Sequence, residues 1–503
     1  MTERHRVIVF GIDGLRPDMV NEATMPNLTE LRSKGTWCAN HHTVFPSETR
    51  GALTALSTGA APSLNGVLGN QFFARGKSAD PAQTHLMALW QAAEAELPRG
   101  MVTVPGLPHM LSNAGKRLAV ITSSGQGSLA ALNWKGGELG HVGANVRHPQ
   151  ISFPQSLADT MFAKHGVPPE GCRETAAQTA VDVLSRTVWP GYNPDVSIIW
   201  LTEADSAAHR YGLGNEGHLS AMSLCDSALG RLLEWRSSQP DSASISLLVT
   251  SDHGHVTISG TVSVRNELKH AGFRAGYRFD EGVDILVCPG RAAGLWFTNH
   301  DPGLVQVVFD CLSEKPWFGG AFSRCLSQGS ELGIVEGTLS LGMLGVDHPR
   351  APDLYVNLDG SGAGNSNGVT GTAWCDVSSY DIAVGCGTHG GLHKGELSSL
   401  LLAEGGKFKS GTTCRLPTGI CDIAPTILDL LNVPVPAGMS GRPIHEIMTG
   451  GNAGGQPEQI RANATRLGKS TCLKVSRYAG ASYCVEGWAD AAAADDSNAA
   501  AAA

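Results

Sequence analysis

Val7-Ile8-Val9-Phe10-Gly11-Ile12-Asp13-Gly14 stands almost at the start of this 503-residue chain, an apolar run that breaks at an aspartate set in a glycine turn. The pattern returns twice. Residues 196–201 run apolar ahead of Asp205, and residues 245–249 run apolar ahead of Asp252. Each run is short, rich in Val, Ile and Leu and bounded by turn residues, which predicts a strand buried on both faces of a parallel sheet. In open α/β sheets ligands bind beyond the carboxyl ends of the strands, so the three aspartates are expected along one crevice. Histidines accompany two of them, in Asp205-Ser206-Ala207-Ala208-His209 and Asp252-His253-Gly254-His255. Carboxylate oxygen mixed with imidazole nitrogen suits Zn²⁺ and its divalent neighbours.

Working outward, residues 1–255 alternate strand-like and helix-like patterns, the mark of an α/β layered core. Helices are predicted over 28–34 after Met25-Pro26, over 51–57 ending at Gly59, and over 175–188 and 219–235. Residues 256–350 are glycine-rich with short strand-like pieces such as 283–287, and read as an inserted cap. The core is expected to resume over 351–447, with a strand at 353–357, the Gly387-Thr388-His389-Gly390-Gly391 turn and a helix over 423–431. Residues 448–503 read as a linker, glycine-rich at 450–455, and a tail disordered from Ala489.

A net charge of −9 argues against a nucleic-acid polymer or an anionic membrane as the main partner. Long-range repulsion of anions then leaves local positive charge, such as bound metal, to hold any phosphate. The 12 cysteines are dispersed from Cys38 to Cys484 with no CxxC pair, the polar start leaves no room for a signal peptide, and no run reaches membrane-helix length. A soluble, cytoplasmic protein with no membrane partner is the expectation.

Thr49 lies in Phe45-Pro46-Ser47-Glu48-Thr49-Arg50, just ahead of a predicted helix. Its hydroxyl is almost wholly protonated at neutral pH; metal coordination activates such a group, and the helix N-terminus offers N–H groups to a phosphate oxygen. Read alone, Thr49 is better taken as a helix cap; with the other motifs beside it, the nucleophile reading wins.

Together these residues resemble the alkaline phosphatase superfamily, most closely its nucleotide pyrophosphatase/phosphodiesterase branch, over about residues 6–255 and 350–445. Asp13, Thr49, Asp252 and His253 match the family's ligands for one metal, and Asp205, His209 and His389 those for the other. Asn70, in Gly69-Asn70-Gln71, matches the asparagine that bonds a phosphate oxygen. The resemblance implies a mainly parallel central sheet flanked by helices with a smaller inserted cap. It also implies two divalent ions, Zn²⁺ by preference, a phosphothreonine intermediate on Thr49, and a small phosphate-containing substrate such as a phosphodiester, nucleotide or phosphonate.

Two departures stand out. Arg50-Gly51-Ala52-Leu53 replaces the family's Phe-Pro-Asn-His after the nucleophile, and Asn65-Gly66 replaces its His-Gly. Both lie toward the leaving group, so nucleotide specificity does not carry over. No Cys/Ser-x-Pro-x-Arg box is present, which argues against a sulfatase. A phosphonoacetate-type carbon–phosphorus hydrolase shares the same ligands and is the alternative enzyme. A non-catalytic binder would lack the nucleophile or a ligand, and none is missing. Arg50 is either a phosphate-binding guanidinium or a solvated first-turn residue. His41, His42 and His255 read as supporting or surface groups, and Glu203 as orienting a ligand or facing solvent. Ser124-Gly125-Gln126-Gly127-Ser128 lacks the P-loop lysine and reads as a strand-to-helix turn.

Overall fold

The computed structural model describes residues 4–75, 79–169, 173–280, 282–378 and 382–491. Its centre is an eight-stranded sheet in the order Thr412–Cys414, Thr36–Cys38, Leu401–Glu404, Ile245–Thr250, Arg6–Ile12, Val196–Leu201, Leu118–Thr122, Val142–Asn145. Only Leu401–Glu404 runs antiparallel to its neighbours; the other pairs are parallel. The three apolar runs of the sequence are the three middle strands. Arg6–Ile12 lies between the other two, with Gly11 level with Trp200 on one side and Thr250 on the other.

Side chains alternate across the pleat, so one strand feeds two cores. Val7 and Val9 join Val196, Ile198 and Trp200 under the helices Thr49–Thr58, Gln126–Leu132 and Ile423–Leu430. Ile8, Phe10 and Ile12 face the opposite way with Ile199 and Leu201, under Pro26–Lys34, Arg173–Val183 and Glu216–Ser237. The helix read at 51–57 starts two residues earlier, at Thr49, and stops where Gly59 turns left-handed at φ 64°. That read at 175–188 ends in a π-helical turn, Leu184–Val188.

A second, mainly antiparallel sheet covers the carboxyl-end side, in the order Ala275–Gly276, Ile285–Cys288, Ala292–Phe297, Leu354–Leu358, Phe318–Ser323, Leu339–Ser340. Its helices, Val264–His270 and Pro302–Ser313, close a third core. The boundary read at 350 differs from the structure here. Leu354–Leu358 pairs with Ala292–Phe297 in the second sheet, and the chain re-enters the central sheet only at Leu401–Glu404. Apolar content cannot tell which of two sheets a buried strand joins. A four-stranded sheet bridges the two, ordered Gly360–Gly364, Thr370–Asp376, Val256–Val262, Gly387–Thr388.

The segment read as linker and tail also differs. Residues 450–455 carry no regular element, but Glu458–Arg466, Lys469–Tyr478 and Ala481–Ala491 form an antiparallel meander. Two-residue turns join them, Leu467-Gly468 at φ 51° and 72° and Ala479-Gly480 at φ 48° and 85°. Paired positive φ values match the right-handed strand twist. The meander docks on the second sheet through Ala321 N–H to Thr471 Oγ1 (3.1 Å) and on the core through Gly487 N–H to the Leu392 carbonyl (2.9 Å). The disorder read from Ala489 onward falls, past Ala491, outside the described residues.

Candidate active site

Asp13 follows the central strand, and Gly14 makes the turn beside it. Gly14 has φ +70°, and a Cβ there would sit 2.6 Å from His255 Nε2, so the turn needs glycine twice over. The Gly14 N–H donates to Asp252 Oδ1 at 3.0 Å, which ties the first strand end to the third. His253 completes this group, with Nε2 3.6 Å from Asp13 Oδ1 and 3.4 Å from Asp252 Oδ2. Thr49, the first residue of its helix, brings Oγ1 to 3.3 Å from the same nitrogen.

A second group forms alongside. Asp205 and His209 lie one turn apart on the helix Glu203–Tyr211, hence on one face. Asp205 Oδ1 is 3.3 Å from His209 Nε2, 3.6 Å from His389 Nε2 and 3.1 Å from His255 Nε2. His389 stacks on His253 at 3.7 Å between ring centroids, so the two groups abut. Asp13, Thr49, Asp205, His209, Asp252, His253 and His389, from five separate segments, thus meet at one place.

The rings are aimed by their far nitrogens. Nδ1–H of His209 donates to the Gly387 carbonyl (2.8 Å), that of His389 to Ser47 (2.8 Å) and that of His253 to Gly254 (3.0 Å). Each Nε2 is thereby left with its lone pair toward the carboxylates, the arrangement usual in metal-ligating histidines. Burial, with Asp252 beside it, pushes the Asp13 carboxyl well above the carboxylate range; burial pushes Asp252 up as well. Burial opposes ionisation of Asp205 too, but His209 and His255 hold its carboxyl well below the usual range. Burial and the neighbouring His253 hold His389 low. Asp13 Oδ1 and Asp252 Oδ2 are buried with no hydrogen-bond partner among the described residues. Buried like charges cannot both persist without a counter-charge. Two orphaned carboxylate oxygens and aimed imidazole lone pairs are a donor set that fits divalent cations.

A cavity of about 290 Å³ opens over Thr49 and the second group, with Glu48, Thr49, Arg50, Asn70, Asp205 and His389 in its wall. The Asn70 side-chain oxygen accepts from the Arg50 N–H at 3.2 Å, and Asn70 itself lines the cavity. Glu48 supports it from beneath, one carboxylate oxygen accepting the Asn70 N–H. Burial raises the Glu48 carboxyl to about 7. Neither Glu48 nor Arg291, also in the wall, carries a signal in the sequence: one sits among turn residues and the other in the cap.

Other sequence candidates lie elsewhere or do different work. His255 is fully buried on Asp205, not a surface group. His41 and His42 pair with Thr418 and Asn40 away from the cluster, and burial lowers them to about 3 and 4. Glu203 is buried against Arg147 (2.8 Å) and Ser123 (2.9 Å), holding two strand ends together, with no face to solvent. Asn65 closes its own loop, accepting from the Val67 N–H at 2.9 Å.

A mainly parallel sheet bearing carboxylates and histidines beyond its strand ends defines an alkaline-phosphatase-like α/β protein. The family model for type I phosphodiesterase / nucleotide pyrophosphatase matches residues 7–356, and the chain belongs to that family. Venom phosphodiesterase CdcPDE of Crotalus durissus collilineatus is 23% identical over 336 residues, 64% of this chain and 35% of that protein. Ectonucleotide pyrophosphatase/phosphodiesterase family member 7 of Mus musculus is 25% identical over 262 residues, 52% of each. The chain spans about a third to a half of the length of these relatives. Among solved structures, an inactive variant of murine ectonucleotide pyrophosphatase/phosphodiesterase 5 in complex with AMP is similar in fold, with a TM-score of 0.58 at 16% identity, covering 86% of this chain and 96% of that one.

Proposed function

We propose that this chain is a metal-dependent phosphoester hydrolase of the phosphodiesterase/nucleotide pyrophosphatase type, with Thr49 as nucleophile. The observation that carries the reading is Thr49 Oγ1 at the N-terminus of a helix, 3.3 Å from His253 Nε2 of the first group and in one cavity wall with Asp205, His209 and His389 of the second. Asp13, Thr49, Asp252 and His253 would hold one divalent ion, and Asp205, His209 and His389 a second, with Zn²⁺ favoured by the donor types. Such ions, when bound, supply Lewis acidity that lowers the pKa of a hydroxyl and offsets developing negative charge.

The protein's own groups do the rest. The threonine oxygen forms a bond to phosphorus, the ester P–O bond breaks, and the alcohol or phosphate leaving group departs with a proton. Water then cleaves the phosphothreonine and restores the hydroxyl. Asn70 Nδ2 would face a non-bridging oxygen, where charge rises in the transition state, with the Arg50 N–H holding the Asn70 side chain in place. A small phosphate-containing substrate suits a cavity of this size. AMP bound to a structural relative supports a nucleotide-sized ligand.

The test sets Zn²⁺-loaded protein against bis-p-nitrophenyl phosphate, p-nitrophenyl phosphate and phosphonoacetate, with Thr49→Ala as control. Turnover of a phosphate ester should fall by at least about 10³-fold in Thr49→Ala while elemental analysis still finds metal. An unchanged rate in that variant, or metal-loaded wild type inert toward all three, would sink the reading.

A further inference from the structure

Two arginines line the cavity, and they differ in what they are free to do. Arg291 is spent. Its Nε and Nη2 donate to the two oxygens of Glu396 at 3.1 and 3.0 Å, and its Nη1 donates to the carbonyls of Leu358 and Trp374. Arg50 has no ion pair among the described residues. Its guanidinium makes one long contact there, from Nη1 to Asn70 Oδ1 at 3.4 Å, and Nε is buried with no acceptor.

The side chain is nonetheless held. The Ser124-Gly125-Gln126-Gly127 turn runs along it: a Cβ on Gly127 would lie 3.2 Å from Arg50 Nε and 1.9 Å from the Thr84 carbonyl oxygen, and one on Gly125 would lie 3.5 Å from Nη2. The glycines of this turn therefore seat an arginine and do not cradle a phosphate. The residue stands in the cavity wall next to Thr49 and against Asn70. A fixed, unneutralised guanidinium beside a phosphate site presents a planar fork that matches phosphate oxygens two at a time.

Resting on the hydrolase reading above, we infer that Arg50 is a specificity-determining residue that takes a second negative charge on the substrate. A diester of two neutral alcohols carries one charge, which Asn70 would meet. A phosphomonoester adds a charge on the same phosphorus, and a pyrophosphate linkage adds one on the next. The guanidinium distinguishes both from the singly charged diester. This gives the replacement of the family's phenylalanine by Arg50 a chemical consequence.

The experiment compares wild type, Arg50→Ala and Arg50→Lys on bis-p-nitrophenyl phosphate, p-nitrophenyl phosphate and P1,P2-diadenosine diphosphate. In Arg50→Ala, kcat/KM for the doubly charged substrates should drop about 10- to 100-fold relative to the diester, the size of a lost charge-assisted hydrogen bond. Arg50→Lys should recover part of that ratio. A selective drop on p-nitrophenyl phosphate places the second charge on the reacting phosphorus; one on the diphosphate places it next door. Ratios unchanged within twofold in Arg50→Ala, whether the rates fall together or hold, overturn the inference. Calorimetric Kd values for inorganic phosphate against dimethyl phosphate on the Zn²⁺-loaded proteins read the same ratio without turnover. The Arg50 assignment therefore stands or falls separately from the hydrolase reading.

Discussion

At the scale of single residues, the legible part of the site was the part with a pattern. Asp13, Asp205 and Asp252 follow buried apolar runs, and a strand end is where an α/β sheet offers ligands. Glu48 had no such mark, because a carboxylate in a turn reads as solvated until the fold buries it. It carries the backbone of Asn70, and its side chain fills the space left by glycines: a Cβ on Gly69 would lie 2.5 Å from Glu48 Oε2, and one on Gly390 would lie 3.2 Å from Oε1. Glu48→Ala should free the Asn70 loop and lower kcat about 10-fold or more with metal content intact, since a displaced donor weakens charge stabilisation in the transition state. Glu48→Gln, which still accepts the Asn70 N–H, should recover most of that loss. Equal kcat in Glu48→Ala and wild type would show that Asn70 is held by other means.

At the scale of elements, the central strands were readable and their partners in the second sheet were not. Continuous apolar runs such as Val196–Leu201 announce burial on both faces, whereas Leu354–Leu358 is equally apolar and belongs to another sheet. The meander escaped for a different reason. In Glu458–Arg466 the fully buried positions are Ala462 and Ala464, so the strand alternates with almost no hydrophobic contrast. Arg291 and Glu396 show how the second sheet reaches the site. Both are wholly buried, and Glu396 also accepts the Gly391 N–H at 2.8 Å, two residues from His389. Arg291→Met strands a buried carboxylate, which costs about 3–5 kcal/mol, and should loosen the His389 turn as well. Urea titration should show that destabilisation, and equilibrium dialysis a weakened metal. A stability change below about 1 kcal/mol with metal affinity unchanged would mean that the pair couples nothing.

At the scale of the whole molecule, Asp422 joins layers that lie far apart in sequence. It ends the Ile420–Asp422 turn that leads into Ile423–Leu430, accepts the N–H groups of Gly419 (2.8 Å) and Arg442 (2.9 Å), and accepts the hydroxyl of Tyr483 (2.8 Å) from the meander. Burial raises its carboxyl from 3.8 to about 6, although Arg442 and these donors pull the other way. A folded-state pKa above the unfolded one means that the folded chain binds the proton more tightly. This group's contribution is therefore fully present below about pH 4, fades as pH rises, and is gone above about pH 6. Two pKa units correspond to a change on the order of 3 kcal/mol. Asp422→Asn removes the titration while keeping the size of the side chain. Its offset from wild type at one pH reports altered hydrogen bonds, whereas the slope of that offset between pH 4 and pH 7 reports the proton. Metal-free protein in chelator keeps the carboxylates of the active site from adding a metal-linked slope to the difference. Wild type should lose stability relative to Asp422→Asn as pH rises across this window. A difference that stays flat from pH 4 to pH 7 would show that Gly419, Arg442 and Tyr483 already hold the carboxylate ionised, with its desolvation cost fully offset by those donors.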